Sequence, residues 1–264
     1  MDNVTRRKVL LFTGLILFLL LLQLAYQTMN DRGPSYYSFN VLAIHPHDDN
    51  SFTQGLVYHD GLLYEGTGLY GRSSLRIAEL STGDIIEQVN LPGDYFGEGM
   101  TIMGDRVYQV TWKENTGFVY SMDDLTEIRS FSYSGEGWGL THDGSHLILS
   151  NGSSTLSFLD PETFQVVRTV DVTYDDAPVP DLNELEYVDG LVYANVWQLD
   201  QIVLIEPDDG VAVGWIDLDG IESHLDSNEG IDVLNGIAYN PETGRLLVTG
   251  KLWPNVFEIE LVPE

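Results

Sequence analysis

Gln54–Gly68 reads QGLVYHDGLLYEGTG, and the same plan returns four more times along the chain. The further copies are EGMTIMGDRVYQVTW from Glu98, WGLTHDGSHLILSNG from Trp138, NELEYVDGLVYANVW from Asn183 and NGIAYNPETGRLLVTGK from Asn235. Their first residues stand 44, 40, 45 and 52 positions apart. Within a copy, apolar residues alternate on both sides of a turn such as Asp60-Gly61 or Asp189-Gly190, which predicts an antiparallel hairpin. A third apolar run follows each hairpin (SSLRIAEL, GFVYSMDDL, STLSFLDP, DQIVLIEP, NVFEIEL), and a fourth follows the first four copies (DIIEQVNL, EIRSFSY, QVVRTVDV, VAVGWIDL). Four strands recurring at this period predict the blade of a β-propeller.

The expected fold is therefore all-β: a five-bladed propeller of four-stranded antiparallel blades. The fifth copy has no fourth strand before Glu264, and Tyr37–His45 (YSFNVLAIH) is expected to supply it. That strand would lock the two ends of the chain together and remove two open sheet edges. Ahead of it, Arg6, Arg7 and Lys8 precede the 18-residue apolar stretch Val9–Tyr26, and no small-x-small cleavage site is obvious near Ala25. Length and flanking charge predict one N-terminal membrane helix, an uncleaved signal anchor with the folded domain outside the cytoplasm; the alternative is a cleaved signal and a secreted domain. The expected organisation is a cytoplasmic basic segment (1–8), the anchor (9–26), a tether (27–36) and the propeller (37–264), and the protein is expected to be a monomer.

The 264 residues carry 41 acidic and 12 basic side chains, a formal net charge of −29. Such a balance repels nucleic acid and suits a surface solvated in high salt, as in halophiles. Beyond the tether only two lysines remain, Lys113 and Lys251, so each asks for a reason. With no cysteine, disulfides and thiolate metal sites are excluded.

The leading residues of the five copies differ (Gln54, Glu98, Trp138, Asn183, Asn235), where a purely structural repeat would keep one residue type. In a propeller the first strand lines the axis and the second returns to the same mouth. Both hairpin ends are thus expected to converge on one funnel holding Phe52, Gln54, Phe96, Glu98, Trp112, Trp138, Asn183, Trp197, Asn235 and Lys251. A lone acid among aromatic rings is placed to have a raised pKa and to shuttle a proton. Aromatic walls with few polar groups suit a small molecule or a chain end.

The segments Phe52-Thr53-Gln54-Gly55-Leu56, Phe96-Gly97-Glu98-Gly99, Gly137-Trp138-Gly139-Leu140, Asn183-Glu184-Leu185-Glu186-Tyr187, Asn195-Val196-Trp197 and Thr249-Gly250-Lys251-Leu252-Trp253-Pro254 occur in this order. Together they resemble the plant and bacterial type of glutaminyl-peptide cyclotransferase (glutaminyl cyclase), over about Tyr37 to Leu261. The resemblance implies a five-bladed propeller that converts an N-terminal glutamine of a peptide or protein to pyroglutamate with release of ammonia. It implies no metal and no cofactor. Residue by residue, it places Glu98 as acid/base and Phe52, Gln54, Phe96, Trp112, Trp138, Asn183, Trp197 and Lys251 in the pocket; we expect Lys251 to serve catalysis by its charge.

Two other readings stay open. A calcium-dependent propeller lactonase or esterase would use Glu98, Asn183 and Asn235 as the start of an axial ligand set, with the tryptophans and Lys251 out of place. A non-catalytic binding propeller would hold a ligand without turnover. His45-Pro46-His47-Asp48-Asp49 is expected to be a solvated turn, His142 and His146 surface residues, and the acidic stretch Asp217–Asp232 a solvated connection lacking EF-hand spacing.

Overall fold

The alternating pattern of each copy emerges as paired strands in a computed structural model that describes residues 33–264. The chain opens with β1 (Ser35–Pro46) and then runs through β2 (Thr53–His59), β3 (Leu62–Thr67), β4 (Ser74–Glu79) and β5 (Ile85–Asn90). The second group is β6 (Gly97–Met103), β7 (Arg106–Thr111), β8 (Thr116–Ser121) and β9 (Glu127–Ser132). The third is β10 (Leu140–His142), β11 (Leu147–Leu149), β12 (Thr155–Leu159) and β13 (Val166–Asp171). A short hairpin, β14 (Thr173–Tyr174) and β15 (Ala177–Pro178), precedes β16 (Leu182–Val188), β17 (Leu191–Val196), β18 (Gln201–Ile205) and β19 (Ala212–Asp217). After a 3₁₀ turn at Ile221–His224 come β20 (Leu234–Asn240), β21 (Arg245–Gly250) and β22 (Asn255–Pro263).

The first three groups are separate four-stranded sheets in sequence order, and consecutive strands pair antiparallel. This is the all-β arrangement of repeated four-stranded sheets that a propeller is built from. The remaining strands form one eight-stranded sheet, β16-β17-β18-β19-β1-β22-β21-β20. Within it β1 pairs antiparallel with β22 from Tyr37↔Pro263 to Pro46↔Asn255, so the first and last strands of Tyr36–Glu264, a compact unit, hold one another. Ser35 and Tyr36, expected in the tether, belong to this strand, and Glu264 N donates to the Tyr36 carbonyl at 2.9 Å. The pairing of β19 with β1 was not expected. It joins the edges of two groups that the repeat alone shows as separate.

Apolar clusters lie between successive groups. Tyr64, Leu75 and Ile77 pack with Met100, Ile102 and Phe118, and Tyr108, Val110 and Val119 pack with Leu140, Leu147 and Leu159. Further round, Phe158 meets Leu182 and Val192, and Ile202 and Ile216 meet Ile237 and Val248. The series returns to its start where Ala238, Leu247 and Val256 pack with Leu56 and Leu63. First strands are buried and last strands such as β5 and β13 alternate outward. That gradient brings β2, β6, β10, β16 and β20 against one another on the inside.

The inner strands carry a shared irregularity. The register slips between Thr53 and Gly55, Gly97 and Met100, Leu182 and Leu185, and Leu234 and Ile237. A bulge bends a strand and re-aims a side chain, and each of these spans a leading residue of the repeat. Glycine follows that residue in four copies. At Gly55, Gly99 and Gly139 the inner strands nearly touch, a Cβ on Gly139 lying 2.0 Å from the Asn183 carbonyl oxygen, and Gly236 adopts a φ of 123°. The fourth copy has Glu184 instead. Its buried carboxylate accepts backbone N–H bonds from Ile237 at 2.8 Å and Leu56 at 3.3 Å, joining three inner strands.

Among the described residues no helix is long and apolar enough to cross a membrane. The expected anchor, Val9–Tyr26, lies outside the described residues.

Candidate active site

Gln54, Glu98 and Asn183 sit on the bulges of β2, β6 and β16, and Trp138 stands just ahead of β10. Trp112, Trp197 and Lys251 follow the last residues of β7, β17 and β21, so the hairpin ends return to one place. There they line a single cavity of about 280 Å³ together with Phe52 and Phe96. Nine of the ten residues expected in the funnel are brought together. Asn235 is buried behind them, donating from its amide to the Gln54 side-chain oxygen at 3.2 Å and to the Thr53 carbonyl at 3.0 Å. It supports the wall and does not line the cavity.

The walls are an aromatic lattice. Phe96 meets Phe52, Tyr70 and Trp112 edge-on at centroid distances of 6.3, 5.4 and 5.5 Å, and Trp138 meets Trp197 edge-on at 5.7 Å. Inside this lattice, burial pushes the Glu98 carboxyl well above the usual carboxylate range. The Lys251 charge pulls it back, while Glu114 and Glu136 push it further up. Burial lowers the Lys251 ammonium, opposed by Glu98 and Asp232. Lys251 Nζ stands 4.9 Å from the Phe52 ring centroid. The Asn183 side-chain oxygen is buried and has no hydrogen-bond partner among the described residues, which leaves an acceptor at the cavity wall.

A family profile described as Glutamine cyclotransferase matches residues 15–261. The chain belongs to the glutamine cyclotransferase family. A glutaminyl-peptide cyclotransferase of Arabidopsis thaliana is 46% identical over 225 residues, which cover 84% of this chain and 70% of the plant protein. The crystal structure of Myxococcus xanthus glutaminyl cyclase superposes with a TM-score of 0.82 at 37% identity, covering 88% of this chain and 99% of that one.

What the sequence did not single out in this family member is Glu136. One of its carboxylate oxygens, Oε2, accepts the indole N–H of Trp112 at 2.8 Å and of Trp138 at 3.0 Å. Burial alone would raise its pKa. The two indoles and Lys113 outweigh that and hold it below the usual range, so it stays charged. Lys113 lies 3.7 Å from Oε1 and 3.6 Å above the Trp112 ring, so both lysines of the folded unit attend this site. The only signal in the chain was proximity, Glu136 standing two residues before Trp138.

The remaining motifs divide. His47 and Asp48 are not in a solvated turn. His47 Nδ1 bonds the Trp253 carbonyl at 2.7 Å and its Nε2 lies 3.2 Å from Glu65, whose other oxygen takes Arg76 at 2.7 Å. Arg76 in turn holds Asp48 at 2.8 Å. The sequence hid this because Glu65 and Arg76 fall at ordinary strand positions. His142 is half-buried with its pKa lowered by burial, not a plain surface residue. Among the described residues no group of three or more His, Cys, Asp or Glu is placed to hold a metal ion.

Proposed function

We propose that this chain cyclises the N-terminal glutamine of peptides or proteins to pyroglutamate, releasing ammonia, on a five-bladed propeller without a metal. The observation that carries the reading is a buried carboxyl, Glu98, the one acid lining a chamber of aromatic walls with one lysine. The five four-strand groups, with their clusters returning to the first group, support the blade count. The apolar Val9–Tyr26 segment behind three basic residues supports membrane tethering with the catalytic unit outside the cytoplasm.

In this reaction the substrate α-amine attacks its own side-chain carboxamide carbon. The C–N bond of a five-membered ring forms, and the bond to the amide nitrogen breaks. Both reactants belong to one residue, so holding it bent supplies much of the rate advantage. Trp112, Trp138 and Trp197 provide the walls that hold it. The substrate amine attacks in its neutral form, its ammonium having lost a proton to solvent. Glu98, as carboxylate, takes the proton that the attacking nitrogen sheds as the ring bond forms, and as carboxylic acid returns it to the departing nitrogen, which leaves as ammonia. Its raised pKa makes the carboxylate a better base toward the amine and keeps the acid able to protonate the departing nitrogen. Lys251 faces the negative charge that develops on the carboxamide oxygen. Gln54 and Asn183 bind amide and backbone groups of the substrate.

The first test is ammonia release from a glutamine-initiated peptide, with and without EDTA, over a range of salt concentrations. Release unaffected by the chelator is expected. Chelator-sensitive activity would favour the lactonase-like reading, and binding without turnover the non-catalytic one.

Glu136 positions two of the three walls, which yields a second expectation. Glu136→Ala should lower kcat/KM about tenfold, because hydrogen bonds to a half-exposed charge are worth on the order of 1–2 kcal/mol together. Glu136→Gln keeps an acceptor oxygen and should recover much of that loss. Having no charge, it should also move the acid limb of the pH–rate profile downward, because a carboxylate that raises the Glu98 pKa is gone. Identical profiles for wild type and Glu136→Gln would refute its electrostatic part.

A further inference from the structure

A second cavity of about 480 Å³ adjoins the first and is walled by Tyr174, Val179, Pro180, Trp197, Leu199 and Trp215 among others. Trp197 lines both cavities, so one indole borders the two. The groove is a constructed feature. The β14–β15 hairpin has no counterpart between the other described groups, and it brings Tyr174 edge-on to Trp215 at 5.8 Å. Val179 N bonds the Val172 carbonyl at 3.0 Å, and Trp197 N bonds the Asp181 carbonyl at 2.8 Å. On a chain of net charge −29 this face leaves Trp197 38% and Leu199 47% exposed, two residues apart. Contiguous exposed apolar surface of this kind marks a binding face.

The first cavity has room for little more than one residue, at the small end of ligand pockets of about 300–1,000 Å³. The rest of any peptide or protein substrate must therefore leave by the mouth. Trp197 lines both the first cavity and the groove. An extended chain advancing about 3.3 Å per residue clears the breadth of one indole in about two residues. With the first residue seated in the small cavity, side chains at substrate positions three and four are the ones that come past that ring to the groove.

We propose that this groove binds the substrate downstream of its N-terminal glutamine and selects chains with apolar side chains at positions three and four. The inference rests on the cyclase reading and adds the substrate's class to it. Seating one such side chain removes enough apolar surface from water for about a tenfold gain in kcat/KM, expressed mainly in KM.

The experiment compares glutamine amide, Gln-Gly-Gly-Gly amide and Gln-Gly-Leu-Phe amide on the full chain. The Leu-Phe peptide is expected to exceed the all-glycine peptide about tenfold, and Leu199→Asp to bring that ratio close to one. Equal kcat/KM for the two peptides in the wild type overturns the groove assignment without touching the cyclase reading, and does so even if the variant fails to fold. No ammonia from any of the three sinks the cyclase reading and the groove with it. A dimer in sedimentation that Leu199→Asp splits, with the peptide ratio unchanged, assigns the face to a second copy and overturns the proposal.

Discussion

Glu98→Gln is expected to lower kcat by about 10²–10⁴-fold, the usual worth of a positioned general acid/base, with the folded state retained. The substitution keeps shape and volume at a site only 5% exposed, and it removes a group that burial already disfavours as an anion. Circular dichroism and the unfolding midpoint should therefore match the wild type. The pH dependence gives an independent readout. Activity requires Glu98 as carboxylate at the start of the cycle, so wild-type kcat/KM rises with pH through its folded pKa, above the usual carboxylate range. In Glu98→Gln that limb should vanish. Near-normal turnover, or a wild-type limb at an ordinary carboxylate pKa, would remove Glu98 from the centre of the mechanism.

Glu65→Ala is expected to cost about 3–5 kcal/mol of stability, as breaking a buried ion pair from one side does. Glu65 and Arg76 are 2% and 5% exposed, so truncating the acid leaves a guanidinium and an imidazole in the interior with Asp48 as the remaining carboxylate. Thr53 also loses its hydroxyl acceptor, at 2.7 Å, and Ser51 loses the same partner. The cluster lies where the segment after β1 meets the β21–β22 turn, since His47 also donates its backbone N–H to Pro254 O at 2.8 Å. Urea unfolding at fixed pH measures the loss, and Glu65→Gln should fall between wild type and Ala.

The sign of its pH dependence follows from the two shifts. Burial works against both charges. The neighbouring His47 and Arg76 nevertheless hold Glu65 well below the usual carboxylate range, and Glu65 in turn raises His47. The carboxylate's contribution is present above its unfolded pKa and is lost as pH falls through the depressed folded value. The histidine's contribution is present below its unfolded pKa and is lost as pH rises through the raised folded value. The network's stabilisation should therefore peak in mildly acidic solution, between the two unfolded values. A wild-type minus Glu65→Ala difference that stays flat from well below the carboxylate's unfolded pKa to well above the histidine's would refute the network.

How far the sequence reaches depends on the range of the interaction. Alternation of apolar residues around Asp60-Gly61 and Asp189-Gly190 is a property of neighbours in the chain, and it shows the hairpins directly. Recurrence of that pattern located both hairpin ends, and with them the nine residues of the cavity. The pairing of β1 with β22 was legible because one copy lacked a strand that the chain's beginning could supply. Glu136, Glu65 and Arg76 were not legible. Each is an ordinary polar residue on a strand or loop, and its meaning lies in partners that the fold brings to it, such as Trp112 across 24 positions of sequence. The bulges that turn Gln54, Glu98 and Asn183 inward, the β19–β1 edge and the β14–β15 groove belong to the same class. Local alternation determined which residues face the axis. Only packing of the inner strands against one another decided how those residues are aimed, what charge they carry and what surface lies beside them.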